Sequence, residues 1–563
     1  MELNELILSL TRCVGKPNII TQAKKIATFT TGFREGKGKA LCVVQPTSLL
    51  QMWEILKIVT QANVAIVMQA ANTGLTGGST PTEELDRPCI VINTLKINDI
   101  HLLEAQGQFI ALPGASLFEL ENALDPHGRV PHSVIGSSCI GASIVGGVCN
   151  NSGGALVERG PAYTELALYA KLNADGELVL INELDIDLGD SPESILTNLQ
   201  TRNYSAQAVR STGKSASDND YKTWVRDTQS SRPARFNADK RRLNKASGCA
   251  GKLAVFAVRL DSFLKPEKKH TYYIHTDNAD SLNTLRIALL NHMTELPISA
   301  EYLHRDVIHL TDHYGRDTML VLKHFGTRVM PAFFNLKKRV DGLCHALPFV
   351  PDSLTDKASN FVARLFPSQV PECVVEAKRI SAHHLILTIQ GGSEKEFKDI
   401  IKPLVDSALL NVIQCDEALA KSLYSLRFAA AGAAIQYQKL HAKTTSGLLA
   451  LDIALPRNCQ QWFEALPDSI AKKMTQKYYY GHFICHVFHQ DYLVSADYKP
   501  EQVKKELLEF MDSRGAEYPA EHNVGHLYHA KSDLAEHYKT LDPTNTFNPG
   551  IGKMSTRKDY ESE

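Results

Sequence analysis

The 563-residue chain lacks three features that would place it in a specialised class. It has no run of about 18 consecutive apolar residues, so no segment is expected to span a bilayer. Neither charge sign is in excess, since 61 Lys and Arg face 62 Asp and Glu, and this balance argues against a nucleic-acid partner. Residues 1–5 are acidic and lead into no apolar core, so we expect no secretory signal.

The cysteines lack any metal-binding or disulfide pattern. The chain contains 11 of them, an odd number, and none belongs to a Cys-x-x-Cys pair. Because a chain this long buries a sizeable core without cross-links, we expect reduced thiols in a cytoplasmic-side protein. With 44% hydrophobic and 22% charged residues, the composition is typical of a folded protein of several domains.

Helix and strand patterns alternate in the first quarter of the chain, which favours an α/β unit. Thr47 or Ser48 precedes an apolar pattern at helical spacing over residues 49–59, and residues 65–68 read as a buried strand. A helix is expected over residues 116–124, and a hairpin over residues 163–181 with its turn at 173–176. Residues 183–247 show little pattern and predict long loops.

Two uncharged segments rich in small residues carry the strongest functional signal. Residues 69–81 follow the predicted strand, and residues 133–154 contain six glycines and five serines. Small residues let backbone N–H groups approach an anion, and an uncharged loop is expected to be buried against a hydrogen-bonding partner. Together the two segments predict a site for an extended dinucleotide; the alternative is a pair of glycine-rich surface loops.

These segments resemble the flavin loops of the vanillyl-alcohol-oxidase family, whose FAD-binding domain is of the PCMH type. Residues 69–78 resemble its pyrophosphate loop, residues 142–154 its second flavin loop, residues 248–258 a segment that closes the flavin site, and residues 541–553 the C-terminal tail. The resemblance implies an α+β fold: a two-subdomain PCMH-type FAD-binding domain with an α/β cap domain over the flavin. The implied FAD-binding residues are Ala70, Ala71, Asn72, Thr73, Gly74, Gly78, Ser79, Ser137, Gly141, Ser143, Ile144, Gly154 and Val255.

The resemblance also implies a division of the chain. We expect an FAD-binding domain over residues 1–264, a cap or substrate domain over residues 265–514, and a C-terminal segment, 515–563, that returns to the FAD domain. An insertion around residues 303–380 is expected to contact a membrane. Residues 69–78 contain neither His nor Cys, the residues that tether flavin in members with a covalent cofactor, so non-covalent FAD is expected.

Within that family, three segments are similar to those of the quinone-dependent, respiratory D-lactate dehydrogenases. They are Ala-Ala-Asn-Thr-Gly-Leu-Thr, Asn-Asn-Ser-Gly-Gly and Glu-His-Asn-Val-Gly-His. The resemblance implies oxidation of D-lactate to pyruvate, with electrons passed through FAD to a membrane quinone. It also implies peripheral attachment to the cytoplasmic face of the inner cell membrane. The candidate contacts with an anionic membrane surface are Phe333, Phe334, Lys337, Lys338 and Arg339, and Lys240, Arg241 and Arg242; the alternative is solvated surface charge.

Histidines cluster late in the chain, beside aromatic residues and a glutamate. On a strand, His482 and His486 would share one face and His489 the other, whereas on a helix all three would share a face. Further on lie Glu521, His522 and His526. A lone histidine is more often structural, but a cluster of this kind is a candidate catalytic site.

The resemblance assigns roles to five of these late residues. Relatives that oxidise D-2-hydroxy acids carry two histidines seven positions apart and a later Glu–His pair, which match His482, His489, Glu521 and His522. The implied base is His522, and Arg427 aligns with the arginine that binds the substrate carboxylate. A surface arginine at a helix end is the alternative reading of Arg427.

A metal site remains open at this stage. His482, His489 and Glu521 match metal ligands of several relatives, but residues 484–487 depart from their pattern, so a metal-free site is expected. A lysine of those relatives falls on Ala450, which favours lactate over a dicarboxylate. The alternatives are another D-2-hydroxy-acid dehydrogenase, with or without a metal, and a flavin-free metallohydrolase that uses the His/Glu cluster.

Overall fold

The computed structural model describes residues 1–133, 138–326 and 354–561, together with the single positions 329, 330, 333 and 340. Its strands form sheets of four, five and seven strands and one two-stranded ribbon. Helices pack on these sheets, so the expected α+β class is confirmed. In the described ranges, no helix combines the length and the apolarity needed to cross a membrane.

The first sheet has the order β1-β2-β4-β3, with β2, β4 and β3 parallel. Ser48 begins the long helix beside it, because its hydroxyl oxygen accepts a hydrogen bond from the Gln51 N–H. This confirms the helix expected there. The strands are β1 (Ile19–Ile20), β2 (Cys42–Val44), β3 (Ala65–Gln69) and β4 (Cys89–Asn93), and the helices are Leu3–Val14, Ala23–Thr30 and Leu49–Thr60.

The second sheet is antiparallel, with the order β5-β6-β10-β8-β9. The expected hairpin is confirmed as β8 and β9, and the Asn173 side chain accepts hydrogen bonds from the N–H groups of Asp175 and Glu177 in its turn. The strands are β5 (Ile100–Leu103), β6 (Gln108–Ala111), β8 (Ala167–Leu172), β9 (Leu178–Asn182) and β10 (Ala254–Asp261), while β7 (Arg129–Val130) and β11 (Phe263–Leu264) form the ribbon. The helices are Leu117–Leu124, Ile144–Cys149, Pro192–Thr201 and Tyr221–Arg226.

The expectation of long loops throughout residues 183–247 is wrong. The segment contains the helix Pro192–Thr201, which buries Ile195, Leu196 and Leu199. Ser191 caps this helix and proline stands in its first turn. That combination is a helix-start signal, and the polar residues between the three apolar ones hid it.

The third sheet lies within residues 265–514, the range expected for the cap, and we call it the cap sheet. It has the order β15-β12-β14-β13-β17-β18-β16, with every neighbouring pair antiparallel. Helices Ala279–His292, Glu394–Asp406 and Pro500–Ser513 cover one face, and Arg305–Tyr314 and Glu417–Leu440 cover part of the other. The strands are β12 (Lys269–Thr276), β13 (Ser299–His304), β14 (His383–Gln390), β15 (Asn411–Cys415), β16 (Thr445–Ala454), β17 (Met474–His482) and β18 (Val487–Ser495). The remaining helices are Arg316–Phe325, Leu354–Arg364, Glu372–Ile380 and Asp468–Ala471.

The C-terminal segment returns to the first sheet. After the helix Ser532–Leu541, Phe547 forms a parallel bridge to Ile66 on β3. The Ile66 N–H donates to the Thr546 carbonyl at 2.9 Å, and the Asn548 N–H donates to the Ile66 carbonyl at 2.8 Å. The tail is therefore hydrogen-bonded to the strand that leads into the first small-residue loop.

Candidate active site

The first small-residue loop follows β3, and several of its backbone N–H groups have no hydrogen-bond acceptor within the described chain. Gln69 holds the loop from behind, since its side-chain N–H donates to the Ser79 carbonyl at 2.7 Å. The Ser79 hydroxyl donates to the side-chain oxygen of Asn72 at 2.8 Å. In the described chain, the backbone N–H groups of residues 71–74 donate no hydrogen bond to protein. Unpaired N–H groups at the end of a strand can receive a pyrophosphate.

Two other segments of the chain, the C-terminal segment and residues 248–258, pack closely behind this loop. A Cβ on Gly525 would lie 2.1 Å from the Thr76 carbonyl oxygen. The Asn548 side-chain N–H is shared between the carbonyls of Gly78, at 2.8 Å, and Ala250, at 2.7 Å. The C-terminal segment and residues 248–258 therefore close on the loop, as the resemblance implies.

The second small-residue loop runs from the FAD domain to the catalytic cluster. Ser143 begins the helix Ile144–Cys149, accepting a hydrogen bond from the Gly146 N–H at 3.1 Å. At the loop's end, the Gly154 carbonyl accepts a hydrogen bond from Arg235 at 2.5 Å. Of the expected cofactor residues, Ser137 lies outside the described residues.

The residues of both loops fit a dinucleotide. The buried Asn548, whose side chain is bonded to the Gly78 carbonyl of the first loop, has a side-chain oxygen without a hydrogen-bond partner in the described chain. The N–H groups of residues 71–74 in the same loop also have no protein partner there. Such orphaned polar atoms need a partner of complementary polarity. The other expected cofactor residues lie in or next to the two loops: Ala70, Ala71, Asn72, Thr73, Gly74, Gly78, Ser79, Gly141, Ser143, Ile144, Gly154 and, on β10, Val255.

The candidate catalytic residues on strands lie on one face of the seven-stranded sheet. His482 is the last residue of β17, residues 483–486 form the turn, and His489 lies on β18. The chain turns between the two antiparallel strands and brings both side chains to the same face of the sheet. The centroids of the two imidazole rings therefore lie 5.3 Å apart. Neither expected arrangement of the three histidines is therefore correct. His486 has a left-handed backbone in the turn (φ 56°) and pairs with the Pro456 carbonyl instead.

Glu521 joins the two histidines from the C-terminal segment. Its Oε2 lies 3.2 Å from Nε2 of His482 and 3.8 Å from Nε2 of His489. Its other oxygen forms a buried ion pair with Arg235. Ligand-capable atoms of His482, His489 and Glu521 all lie within 4.8 Å of one another, so the three could hold a metal ion.

Arg427 lies in the middle of the helix Glu417–Leu440 with only 13% of its side chain exposed, so the reading of it as a surface arginine at a helix end is wrong. Its Nε lies 2.7 Å from Oε2 of Glu301, and its guanidinium stacks over the Tyr480 ring at 4.7 Å. Glu301 also pairs with Nδ1 of His482 at 2.6 Å. The side chains of Tyr480, Arg427, Glu301 and His482 therefore form a continuous row beside Glu521.

His522 is oriented by a carboxylate. Its Nδ1 lies 2.7 Å from Oδ2 of Asp452, which also accepts the Glu521 backbone N–H at 2.7 Å. Because an ionised carboxylate can only accept, Nδ1 of neutral His522 carries the hydrogen and Nε2 keeps its lone pair. About a third of the His522 side chain is exposed, at 32%. The free nitrogen can therefore accept a proton from a bound molecule.

The charges of the site set different pKa values for its three histidines. Burial disfavours the cation of His482, but Glu301 and Glu521 outweigh burial and raise its pKa to about 10. Burial prevails at His489 and lowers its pKa to about 4. At His522 burial is again opposed, and Asp452 raises the pKa above its ordinary value. At neutral pH, His482 is therefore a cation and His489 is neutral.

Sequence reasoning missed three charged residues of the site. Asp452 lies on β16 and was given no role from the sequence, and Arg235 lies within residues 183–247, a segment read as loop. Glu301 stands on β13 among apolar residues with no local motif around it. These residues act through pairing across the sheet, which no sequence spacing reveals.

Several expected sites have other roles. His526 pairs with the carbonyls of Gly550 and Thr80, at 3.1 and 3.0 Å, and so ties the tail to the first loop. The basic run at 240–242 is no free surface patch, since Arg241 pairs with Asp239 and Arg242 is buried in ion pairs with Asp218 and Asp239. Phe334, Lys337, Lys338 and Arg339 lie outside the described residues, and Phe333 is half-buried.

Comparisons with known proteins agree with this arrangement. Residues 271–560 match the family described as D-lactate dehydrogenase, membrane binding, and residues 40–182 match the FAD binding domain family. Among solved structures, p-cresol methylhydroxylase has a TM-score of 0.58 at 12% identity, with 98% of this chain and 97% of that chain covered. Alkyldihydroxyacetonephosphate synthase has a TM-score of 0.57 at 11% identity, with 98% and 85% covered. The expected PCMH-type fold is confirmed.

Three full-length relatives carry one name, quinone-dependent D-lactate dehydrogenase. The protein of Haemophilus influenzae is 48% identical, with 100% of both chains covered. That of Escherichia coli is 47% identical, covering 98% of this chain and 97% of its own, and that of Corynebacterium glutamicum is 38% identical, covering 99% and 98%. With these identities over its whole length, the chain belongs to the family of quinone-dependent D-lactate dehydrogenases.

Proposed function

We propose that this protein oxidises D-lactate to pyruvate and passes the electrons through non-covalent FAD to a membrane quinone. The observation that carries the proposal is His522, which is held by Asp452 and lies between two residues that touch the flavin loops. The Glu521 carbonyl accepts the Gly153 N–H of the second loop at 3.3 Å, and a Cβ on Gly78 of the first loop would lie 3.4 Å from the side-chain oxygen of Asn523. A base next to a flavin site is the group needed to take the hydroxyl proton of a 2-hydroxy acid. Non-covalent binding is supported by the first loop, which contains no His or Cys from residue 69 to residue 78.

Each residue of the cluster has a proposed role in this reaction. FAD, when bound, accepts the C2 hydrogen of the substrate as a hydride. His522 takes the hydroxyl proton at Nε2, and Arg427 binds the substrate carboxylate. The cationic His482 offsets negative charge on the substrate, and the neutral His489 lines the substrate site beside it. Glu521 positions His482 rather than reacting itself.

The substrate pocket suits a small monocarboxylate. Ala450 on β16 pairs in register with Asp491 on β18, on the face that carries Asp452 and His489. The lysine that relatives carry at this position is an alanine here, so residue 450 itself offers no charge to a second carboxylate. We therefore propose lactate rather than a dicarboxylate as the substrate.

We propose that the reaction needs no metal ion. Arg235 and the cationic His482 already neutralise Glu521. The charge that a metal would supply is therefore present in the side chains.

Anaerobic addition of D-lactate to the purified, EDTA-treated holoenzyme tests the proposal. The flavin absorbance band at about 450 nm should disappear, and a soluble quinone should restore it. L-lactate serves as the control and should leave the band unchanged. Bleaching by a different D-2-hydroxy acid but not by D-lactate would favour another dehydrogenase, and a protein without the band would favour the metallohydrolase.

We also propose where the protein meets an anionic membrane on the cytoplasmic side. The end of the helix Leu354–Arg364 and the residues after it expose Phe361 (68%), Leu365 (72%) and Phe366 (50%), beside the exposed Arg364. Exposed aromatic and aliphatic side chains next to a cation are typical of interfacial membrane contact. This patch lies within residues 271–560, the range of the membrane-binding family.

Replacing Phe361 and Leu365 together by serine should weaken sedimentation with vesicles that contain phosphatidylglycerol. Both side chains lose apolar area that would enter the bilayer, and the loss should be about tenfold or more in binding. Leu8→Ser is the matched control, because Leu8 is 57% exposed on the distant helix Leu3–Val14. Binding equal to that of the unaltered protein would rule out this patch as the contact.

A further inference from the structure

Arg235 connects the end of the second flavin loop to Glu521. It is buried, with 1% of the residue exposed. One terminal nitrogen of its guanidinium donates to the Gly154 carbonyl at 2.5 Å and forms the ion pair with Glu521, and the other donates to the Arg159 carbonyl at 3.2 Å. Because a guanidinium is planar and rigid, its bonds to the two carbonyls fix where it holds the Glu521 carboxylate.

Asn237 makes a second connection between the same two segments. Its side-chain N–H donates to the Asn150 carbonyl of the second flavin loop at 2.6 Å, and its backbone N–H donates to the Pro519 carbonyl at 3.2 Å. Pro519 lies two residues before Glu521. The backbone of the C-terminal segment is therefore held to the loop without Arg235, whose own ion pair acts on the Glu521 side chain.

Gly153 leaves room for the Glu521 side chain. The Gly153 N–H donates to the Glu521 carbonyl at 3.3 Å. A Cβ on Gly153 would lie 2.7 Å from both Cγ and Oε1 of Glu521, and the three atoms nearest to that Cβ all belong to Glu521. Gly153 has no positive φ, so its backbone conformation alone does not require glycine. The close approach of Glu521 is what excludes a side chain at this position.

A displacement of Glu521 would reach both of the histidines beside it. Its Oε2 lies 3.2 Å from Nε2 of His482. Its backbone N–H donates to Oδ2 of Asp452 at 2.7 Å, and the same oxygen pairs with Nδ1 of His522 at 2.7 Å. Glu521 therefore links the end of the second flavin loop to His482 directly and to His522 through Asp452.

We propose that Arg235 and Gly153 are positioning residues, which together hold the Glu521 carboxylate against the second flavin loop. We name this pair the Glu521 clamp. The inference rests on the proposed function, since it takes His522 as the base. The clamp gives the end of the loop a task besides cofactor binding, because it ties the position of the reacting side chains to the segment that would hold the flavin.

Arg235→Lys in the FAD-loaded protein tests the clamp. Lysine keeps the positive charge but lacks the planar fork, so it cannot hold both carbonyls and the carboxylate. The limiting rate of anaerobic flavin reduction by D-lactate should fall by about 10- to 100-fold, the effect of moving a reacting group by about 1 Å. The half-saturating D-lactate concentration should change by less than about threefold, because the described hydrogen bonds and ion pair of Arg235 do not include Arg427.

Gly153→Ala tests the clamp from the other side. The new Cβ pushes the Glu521 carboxylate away without removing a charge, so the limiting rate should fall while the half-saturating D-lactate concentration stays the same. The thermal unfolding midpoint should fall less than in Arg235→Lys, because a flexible side chain can move aside. In a crystal structure of the FAD-loaded variant, the carboxylate should be displaced by about 1 Å, the shift that turns a 2.7 Å approach into an ordinary contact.

Arg242→Lys is the matched control. Like Arg235, Arg242 is buried and its guanidinium lies over the Tyr221 ring, at 5.9 Å against 5.7 Å for Arg235. Its ion pairs are with Asp218 and Asp239, outside the candidate active site. Arg242→Lys should lower the unfolding midpoint as Arg235→Lys does, but it should leave the limiting reduction rate unchanged.

A Glu521→Gln background separates positioning from a general loss of structure. If Arg235 acts through Glu521, Arg235→Lys should slow the Glu521→Gln variant by less than about threefold further. Effects that multiply in the double variant, an equal rate loss in Arg242→Lys, an unmoved Glu521 carboxylate in Gly153→Ala, or loss of FAD from Arg235→Lys would each overturn the proposal. Failure of the unaltered protein to react with D-lactate would instead overturn the proposed function, and the crystal structure of Gly153→Ala would still report on the clamp.

Discussion

Replacing His522 by alanine should slow flavin reduction by D-lactate by about 10²- to 10⁴-fold, the range for loss of a positioned base. FAD should stay bound, because the His522 side chain pairs with Asp452 and forms no hydrogen bond with a described residue of the first flavin loop. The measurement is single-turnover mixing under anaerobic conditions. His529→Ala is the control, since His529 is exposed on the same segment. Normal reduction by His522→Ala would remove this residue from the mechanism.

The pH dependence of the reduction rate is a second test of His522 as the base. Only neutral His522 can accept a proton, so the rate should fall as the pH drops through the pKa of this group. Asp452 raises that pKa, so the midpoint should lie above about 6.5, the value for an ordinary histidine. This fall in rate at low pH should be absent from His522→Ala. A midpoint below about 6.5 in the unaltered protein would contradict the role of His522 as the base.

Replacing Gly525 by alanine should release FAD. The new Cβ would lie 2.1 Å from the Thr76 carbonyl, so the first flavin loop must move away from the C-terminal segment. Such overpacking costs about 1–3 kcal/mol, which corresponds to roughly 5- to 150-fold weaker FAD binding. The FAD-to-protein ratio after gel filtration and the thermal unfolding midpoint are the measurements.

Gly128→Ala is the matched control for that variant. Gly128 also has a left-handed backbone, with φ 63°, but a Cβ there would meet no atom within 4 Å. It carries the same backbone strain, about 1–2 kcal/mol, without the steric contact. If both variants keep FAD equally well, the close approach of Gly525 to the loop does not support the cofactor site.

The fold could be predicted where local patterns decide it. The apolar spacing after Ser48 and the turn residues after Leu172 gave the correct helix and hairpin, since both depend on neighbours in sequence. The helix Pro192–Thr201 was missed because its apolar face has only three buried residues. Local periodicity is weak in a helix that covers so little core.

The site was predictable only in part. His482, His489, Glu521 and His522 followed from the resemblance, and the structure brings them together through the β17–β18 hairpin. The carboxylates that set their charge states, Glu301 and Asp452, reach them across strands and could not be read from spacing. Register and domain closure decide which charges meet, and neither is a local property of the sequence.

The parallel bridge between Phe547 and Ile66 has a consequence for biosynthesis. The strand that leads into the pyrophosphate loop emerges from the ribosome early, whereas its partner in the tail emerges almost 500 residues later. Asn548, which holds that loop, and Glu521, which completes the histidine cluster, both come from the late part. A nascent chain therefore has neither a closed flavin cradle nor a complete set of reactive groups. Cofactor capture and redox competence should therefore arise together, once the segment that contains Glu521 and Asn548 has been made.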